Sequence, residues 1–327
     1  MQTRPQPKPV LTVFPVIVAF FAVLWVQPPA PVHAEPFSPD ILKSVVSVLP
    51  QWPGYGNGNN KGRPKNPEGT AVAVLPGGHL ATNLHVIGRA ETIKIRMADG
   101  RILPASIIGR DPRTDLALIK AAIDLPVPPF GPEPGLGARV CAIGNQFGLG
   151  LSVTCGVASA LHRTGTGFNP IEDFLQTDAV VNPGGSGGAL IDGKGRLIGL
   201  VSAIFTKDSD ANIGVNFASS LKLVLRVVRD LKEHGKVLYG KSGVTVRPLS
   251  EPERATLSGA AVVRLAPEGA GMKAGLKVGD ILTRIGDRAI RQTSDVPGAL
   301  HLHSPGEPIP VTYLRGGQEK TTTLEML

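Results

Sequence analysis

Apolar residues along this chain fall mostly into short runs closed off by Gly, Pro, Asn and Asp, the pattern of strands and turns rather than of helical bundles. Residues 70–75 and 92–97 are β-type runs, with turns at Pro76-Gly77-Gly78 and Asp99-Gly100, and 116–121 closes a first group of strands. Residues 125–137 carry several prolines and read as a linker. A second group of strands follows at 139–144, 151–161, 197–205 and 213–218. Helical spacing is predicted over 39–49, with Ser38 as its cap, and again after Ser219 or Ser220. The second helix presents Leu221, Val224, Leu225, Val228 and Leu231 on one face and ends at Gly235 as a left-handed cap. Residues 50–67, rich in Gly, Asn and Pro, read as a surface loop, and 240–327 form a further unit the size of a small domain. The expected class is mainly β, with two strand groups facing one another across a cleft.

The first 34 residues break this pattern. Arg4 and Lys8 precede an apolar run over 10–26, and Val32-His33-Ala34 places small residues where a signal peptidase cuts, so the segment reads as a secretory signal. The run of 17 residues, interrupted by Pro15, is short for a bilayer span, which leaves cleavage or an uncleaved anchor open. Composition adds less. Gly 40 and Pro 30 favour turn-rich β structure, and 42% hydrophobic residues support real cores. The net charge of +8 comes without an aromatic-interleaved Lys/Arg cluster, so no nucleic-acid partner is expected. Cys141 and Cys155 are the two cysteines. Their midpoint falls in the turn-rich stretch Gly144 to Gly150, so a symmetric hairpin sets them opposite one another in reach of a disulfide. The alternative is two buried thiols.

Candidate chemistry centres on Asn182-Pro183-Gly184-Gly185-Ser186-Gly187-Gly188, which sets a serine between glycine pairs where amides can converge. Upstream lie Thr82-Asn83-Leu84-His85-Val86 and Asp111-Pro112-Arg113-Thr114-Asp115-Leu116-Ala117. A hydroxyl nucleophile, an imidazole base and a carboxylate that orients it are what acyl transfer requires. Gly184-x-Ser186-x-Gly188 also fits a nucleophile elbow, with Asp210 and His234 following in the required order. Residues 176–183 are too polar for the buried central strand that elbow needs. Ser219-x-x-Lys222 lacks a Ser-Asp-Asn partner and reads as a helix cap. His301-x-His303 makes a poor metal site, and neither metal nor cofactor is expected.

The order His85, Asp115, Ser186 and the residues around each resemble the HtrA/Deg family of trypsin-like, PDZ-bearing serine proteases. In that family the matching segments read TN-x-HV, DP-x-TDLA and QTDA-x-NPG-x-SGG, and the resemblance covers roughly residues 40–327. It implies a mainly β chain, a trypsin-like double β-barrel followed by one PDZ domain. The expected divisions are 1–34 signal, 35–68 N-terminal segment and loop, 69–236 protease domain and 240–327 PDZ domain. His85 would be the base, Asp115 its orienting acid and Ser186 the nucleophile, with the amides of Gly184, Gly185 and Ser186 as oxyanion hole. Val181, Ile204 and Val215 would line the S1 pocket, which without an acidic residue favours a small aliphatic P1 side chain. Lys241, Ser242, Gly243 and Val244 would bind a peptide carboxylate.

Two positions depart from the family pattern: Gly185 stands where Asn is common, and Ser242 where an apolar residue is usual. No aspartate immediately precedes Ser186, so activation is expected from loop ordering, with residues 161–173 in contact with the PDZ unit. The resemblance implies an exported, periplasmic serine endopeptidase of envelope quality control or stress response. It would act on unfolded or C-terminal peptide-bearing proteins, as a homotrimer, touching the membrane only if the N-terminal segment is uncleaved. A peptide-binding chaperone or sensor with weak proteolysis is the rival.

Overall fold

The computed structural model describes residues 37–53, 68–204 and 213–327, without the side chains of Ala203 and Ile204. The expected signal and most of the 50–67 loop lie outside these residues. Ser38 does cap a helix, accepting from the Asp40 N–H at 3.2 Å, but that helix is a short 3-10 turn, Pro39–Ser44. From Val45 the chain is strand β1 (Val45–Gln51) rather than helix as far as residue 49. The β-branched Val45, Val46 and Val48 are stiff at χ1 and pack better on a pleated surface, and all three are buried.

Strands β2 (Gly69–Leu75), β3 (His79–Asn83), β4 (Thr92–Arg96), β5 (Ile102–Asp111) and β6 (Leu116–Ala121) join β1 in a closed barrel of order β1-β2-β3-β6-β5-β4. A single helical turn, α1 (Leu84–Ile87), follows β3. After the expected linker, β7 (Arg139–Gly144), β8 (Ser152–Arg163), β9 (Phe174–Thr177), β10 (Ala189–Asp192), β11 (Leu197–Ile204) and β12 (Asn216–Ser220) close a second barrel of order β10-β11-β12-β9-β8-β7. Closure removes free strand edges from both. β12 begins later than expected and runs to Ser220, whose hydroxyl then caps α2 (Leu221–His234) by accepting from Leu223 N–H at 3.2 Å. Gly235, at φ 68°, ends α2 as a left-handed cap.

The buried face of α2 is broader than its periodicity suggested. Leu223, Val224, Val227, Val228 and Leu231 are buried, whereas Leu221 and Leu225 are half-buried. Arg226 and Asp230 are also buried, paired at 2.7 Å, so an ion pair turns inward beside the apolar face. The helix packs across β5 and β6 of the first barrel and β11 of the second. One apolar cluster draws on both barrels and α2, including Val72, Leu116, Cys141, Ile143, Leu200, Val224 and Leu231. Each such side chain contributes about 1.5–3 kcal/mol of burial, so this shared core fixes the barrels against one another.

The last sheet comprises β13 (Val244–Pro248), β14 (Ala260–Leu265), β15 (Ile281–Ile285), β16 (Arg288–Ala289), β17 (Pro308–Arg315) and β18 (Gln318–Glu325), in the order β13-β14-β15-β17-β18 with β16 paired to β15. Short helices α3 (Glu251–Arg254), α4 (Ala270–Lys273) and α5 (Asp295–Leu300) connect these strands. β13 lies at the sheet edge, which leaves it open to strand addition. In the second barrel, Cys141 of β7 faces Cys155 of β8 and the two form a disulfide, with Cα atoms 4.1 Å apart. The symmetric hairpin, not the pair of buried thiols, is the arrangement found.

Candidate active site

The site is assembled at the junction of the barrels. β3 ends at Asn83, and His85 is the second residue of α1. Across the barrel, Asp111 pairs with Leu116 between β5 and β6, leaving Pro112, Arg113, Thr114 and Asp115 as the turn. Asp115 sits at φ 57°, a conformation that Asp tolerates better than most residues. Its carbonyl accepts from Leu84 N–H at 2.8 Å and from the Asn83 side chain at 3.1 Å. Its carboxylate accepts from His85 N–H at 2.9 Å and from His85 Nδ1 at 2.5 Å. An ionised carboxylate only accepts, so Nδ1 carries a proton and, in the neutral form of the ring, the lone pair is on Nε2.

Ser186 follows in a loop whose polar groups can be accounted for one by one. Pro183 C=O accepts from Phe147 N–H at 2.7 Å, and Gly184 C=O from the Thr70 hydroxyl at 2.6 Å. Gly185 N–H donates to Asn182 C=O at 2.9 Å, and Gly185 C=O accepts from Gly188 N–H at 3.0 Å. Ser186 C=O accepts from Thr70 N–H at 2.9 Å. Each peptide plane is therefore fixed, and the N–H groups of Gly184 and Ser186 have no acceptor among the described residues. Gly185, expected as a third donor, spends its amide inside the turn. Glycine is required at 184 and 187: φ is +95° and +82°, and a Cβ would stand 2.2 Å from Asn145 O or 2.0 Å from Thr70 O.

Thr70 and Phe147 were missed in the sequence, and each acts through long-range hydrogen bonds. Thr70 Oγ1 also accepts from Asn145 N–H at 2.9 Å, so one hydroxyl ties β2 to both loops. Phe147 holds φ 56° to aim its N–H at Pro183.

His85, Asp115, Ser186, Gly184 and Val181 line one cavity of about 640 Å³, together with Glu68, Phe168, Asn169 and Ser202. No hydrogen bond joins the Ser186 hydroxyl to the His85 ring among the described residues. Catalytic hydrogen bonds are often long without substrate. Of the expected S1 residues, Val181 lines this cavity, while the half-buried Val215 is not in its lining. The Ile204 side chain lies outside the described residues. Glu68 gives the cleft a carboxylate, paired with Arg96 at 2.9 Å and accepting from Asn145 at 2.7 Å.

The segment 161–173 touches both halves of the molecule. The buried Glu172 carboxylate gathers the N–H groups of Thr166, Phe168 and Asn169 at 2.8–3.0 Å, which shapes the loop beside the cavity. Thr164 Oγ1 donates to Asp295 of α5 at 2.5 Å, and Asp173 accepts from Arg288 of β16 at 2.9 and 3.2 Å. His162, 3.3 Å from Asp173 and 3.1 Å from Glu133, has its pKa raised to about 9 by those two carboxylates, against burial and Arg288. Burial alone would raise Asp173, but His162, Arg288 and Ser220 hold it down at about 2. Before the C-terminal sheet, Lys241, Ser242 and Gly243 lead into β13, which starts at Val244, with Gly243 at φ 69°. The N–H groups of Ser242 and Gly243 have no acceptor among the described residues.

Comparison with known proteins agrees with this architecture. Residues 69–200 match the trypsin-like peptidase domain family and 224–326 the PDZ domain family. The chain is 34% identical to the periplasmic serine endoprotease DegP of Salmonella typhimurium, over 89% of this chain and 63% of that protein. It is 34% identical to DegP of Escherichia coli K12, over 83% of this chain and 59% of that protein. It thus spans about three fifths of those relatives. Among solved structures it is similar to the HtrA-type protease AlgW with tripeptide, at 35% identity and a TM-score of 0.66, covering 88% of this chain and 94% of that one. A serine endoprotease from Yersinia pestis aligns at 32% identity and a TM-score of 0.56, over 89% and 98%. Alignment at this identity along nearly the whole of a solved relative means that the chain belongs to the HtrA-type protease family.

Proposed function

We propose that this chain is an exported serine endopeptidase that cleaves unfolded or C-terminal peptide-bearing proteins in the periplasm, in envelope quality control or stress response. The observation that carries the reading is the Asp115–His85 pair, with Nδ1 committed to the carboxylate, opening on the cavity that Ser186 also lines. Ser186 Oγ attacks the scissile carbonyl while His85 Nε2 takes its proton. Asp115 stabilises the imidazolium, which then protonates the departing amine, and water hydrolyses the acyl-enzyme by the reverse sequence. The tetrahedral oxyanion is stabilised by the two amides without acceptors, Gly184 and Ser186, together contributing several kcal/mol.

Val181 in the cavity wall supports an apolar S1 pocket that prefers a small aliphatic side chain. The unmade Ser186–His85 bond fits a resting enzyme that tightens on substrate. The edge strand β13 and the unengaged amides of Ser242 and Gly243 support peptide capture by strand addition, with the carboxylate at those amides. Homotrimer assembly and a secretory signal over residues 1–34 complete the proposal and rest on the family resemblance and the N-terminal sequence. Digestion of unfolded casein by the wild type and by Ser186→Ala, alongside fluorophosphonate labelling of Ser186, tests the reading. A wild type that neither digests casein nor takes the label would overturn it.

A further inference from the structure

The turn that carries Asp115 is held from outside the barrels. Asp111, at its start, is buried, and its Oδ2 accepts from the Thr114 hydroxyl at 2.5 Å and also from the Tyr239 hydroxyl. Its Oδ1 faces Arg113 N–H at 3.4 Å. The Arg113 guanidinium lies over the Tyr239 ring, 4.2 Å from its centre. Tyr239 belongs to neither barrel; it sits in the connection between α2 and β13. Burial, reinforced by Asp111, raises its phenol pKa, so the hydroxyl stays a donor at any physiological pH.

The connection is pinned in turn. Leu238 N–H donates to Asp230 at 2.7 Å, and Arg226 donates to Leu238 C=O. The same Arg226 reaches His303 C=O of the C-terminal domain at 3.3 Å. His301, just past α5, meets the Tyr239 ring edge-on at 5.0 Å. Its pKa is lowered to about 4 by burial, Arg113 and Arg226, so at neutral pH it packs as an uncharged ring.

We propose that Tyr239 is a positioning residue for Asp115: by donating to Asp111 it sets the turn that aims the acid at His85, and it makes that aim depend on how the C-terminal domain is docked. Asp111 and Thr114 share one hydrogen bond, and Thr114 is the residue before Asp115. Removing the phenol proton leaves a buried carboxylate short of a donor, which it recovers only by moving the turn. At φ 57°, Asp115 has little freedom to compensate. The contact lies on the acid side of the site, away from the loop that carries Ser186.

The proposal rests on the serine-protease reading above, and its test separates the two. Full-length wild type and Tyr239→Phe are compared in peptide hydrolysis, in fluorophosphonate labelling of Ser186, and in the downfield resonance of the His85 Nδ1 proton. Tyr239→Phe is expected to lower kcat and the labelling rate about tenfold, well short of the ~10⁴-fold expected when the acid itself is lost. KM should be unchanged, Tm lowered by the lost buried hydrogen bond, and the resonance displaced. Asp111→Asn, which keeps an acceptor but removes the charge, should fall in the same direction and supplies the reading if Tyr239→Phe does not fold. Wild-type kcat and an unshifted resonance in a folded variant overturn the proposal alone. A wild type that takes no label overturns the enzyme reading and the proposal with it.

Discussion

Replacing both cysteines by alanine, or reducing the wild type, should lower thermal stability while leaving the reaction intact. The disulfide joins residues 14 apart in sequence, so it closes a loop of about 15 residues in the unfolded chain. Loop-closure entropy for that length is about 3 kcal/mol, although part of any disulfide effect is enthalpic. A domain of this size shifts by about 2–4 °C per kcal/mol, which gives a fall of roughly 6–12 °C. Cys141 is buried and Cys155 exposed, so the double variant also loses some packing at Cys141, while reduction removes only the cross-link. Comparing the two separates packing from tether. The assay is a thermal melt of oxidised wild type, reduced wild type and Cys141→Ala/Cys155→Ala, with peptide hydrolysis at 25 °C on each. The β7–β8 ladder pairs six residues on each strand through backbone hydrogen bonds of its own, so hydrolysis at 25 °C should stay close to wild type. Reduced protein and double variant both melting within about 2 °C of oxidised wild type would refute the argument.

Ser186→Ala should lose about 10⁶-fold in kcat with Tm retained, and residual casein digestion near the wild-type rate would remove Ser186 from its role. Thr70→Val keeps the side-chain shape but removes the hydroxyl between Gly184 C=O and Asn145 N–H; kcat should fall ~10²-fold with KM little changed, and an unaltered kcat would mean the loop holds its shape without it. The His162 pKa of about 9 against an unfolded value of 6.5 gives stability that is full below pH 6.5 and is lost as pH rises through 9. Melts from pH 6 to 10 should therefore fall more steeply for wild type than for His162→Gln, and parallel curves would show that the pairing with Asp173 and Glu133 contributes nothing.

The candidate triad was legible because each residue sits in a short, distinctive segment, and α2 was legible because both its caps are local signals. The disulfide could be reached by hairpin symmetry. Strand β1 was misread because Val45, Val46 and Val48 also satisfy a helical repeat, and only their barrel neighbours decide the matter. Thr70 could not be found locally, since its partner Gly184 lies 114 residues away and a threonine in a strand is unremarked. Gly185 shows the opposite limit: three consecutive amides look equivalent in sequence, yet turn geometry commits one of them to Asn182. The burial of Arg226 and Asp230 has no signal in the α2 periodicity, and it follows from the linker and C-terminal domain that hydrogen-bond to them.

The left-handed backbone at Asp115 narrows the routes by which descendants of this chain can drift. Among ordinary residues only Gly, Asn and Asp enter that conformation cheaply, and a β-branched or bulky replacement costs about 1–2 kcal/mol before any chemistry is lost. Asparagine is the substitution the fold hardly notices, but its amide could present a donor to Nδ1, favour the other imidazole tautomer and silence the base. A lineage that gives up proteolysis and keeps the scaffold for binding should therefore carry Asn or Gly at this position far more often than Ala, Val or Glu. Inactive paralogues would then be recognisable from the turn after β5, even with histidine and serine untouched.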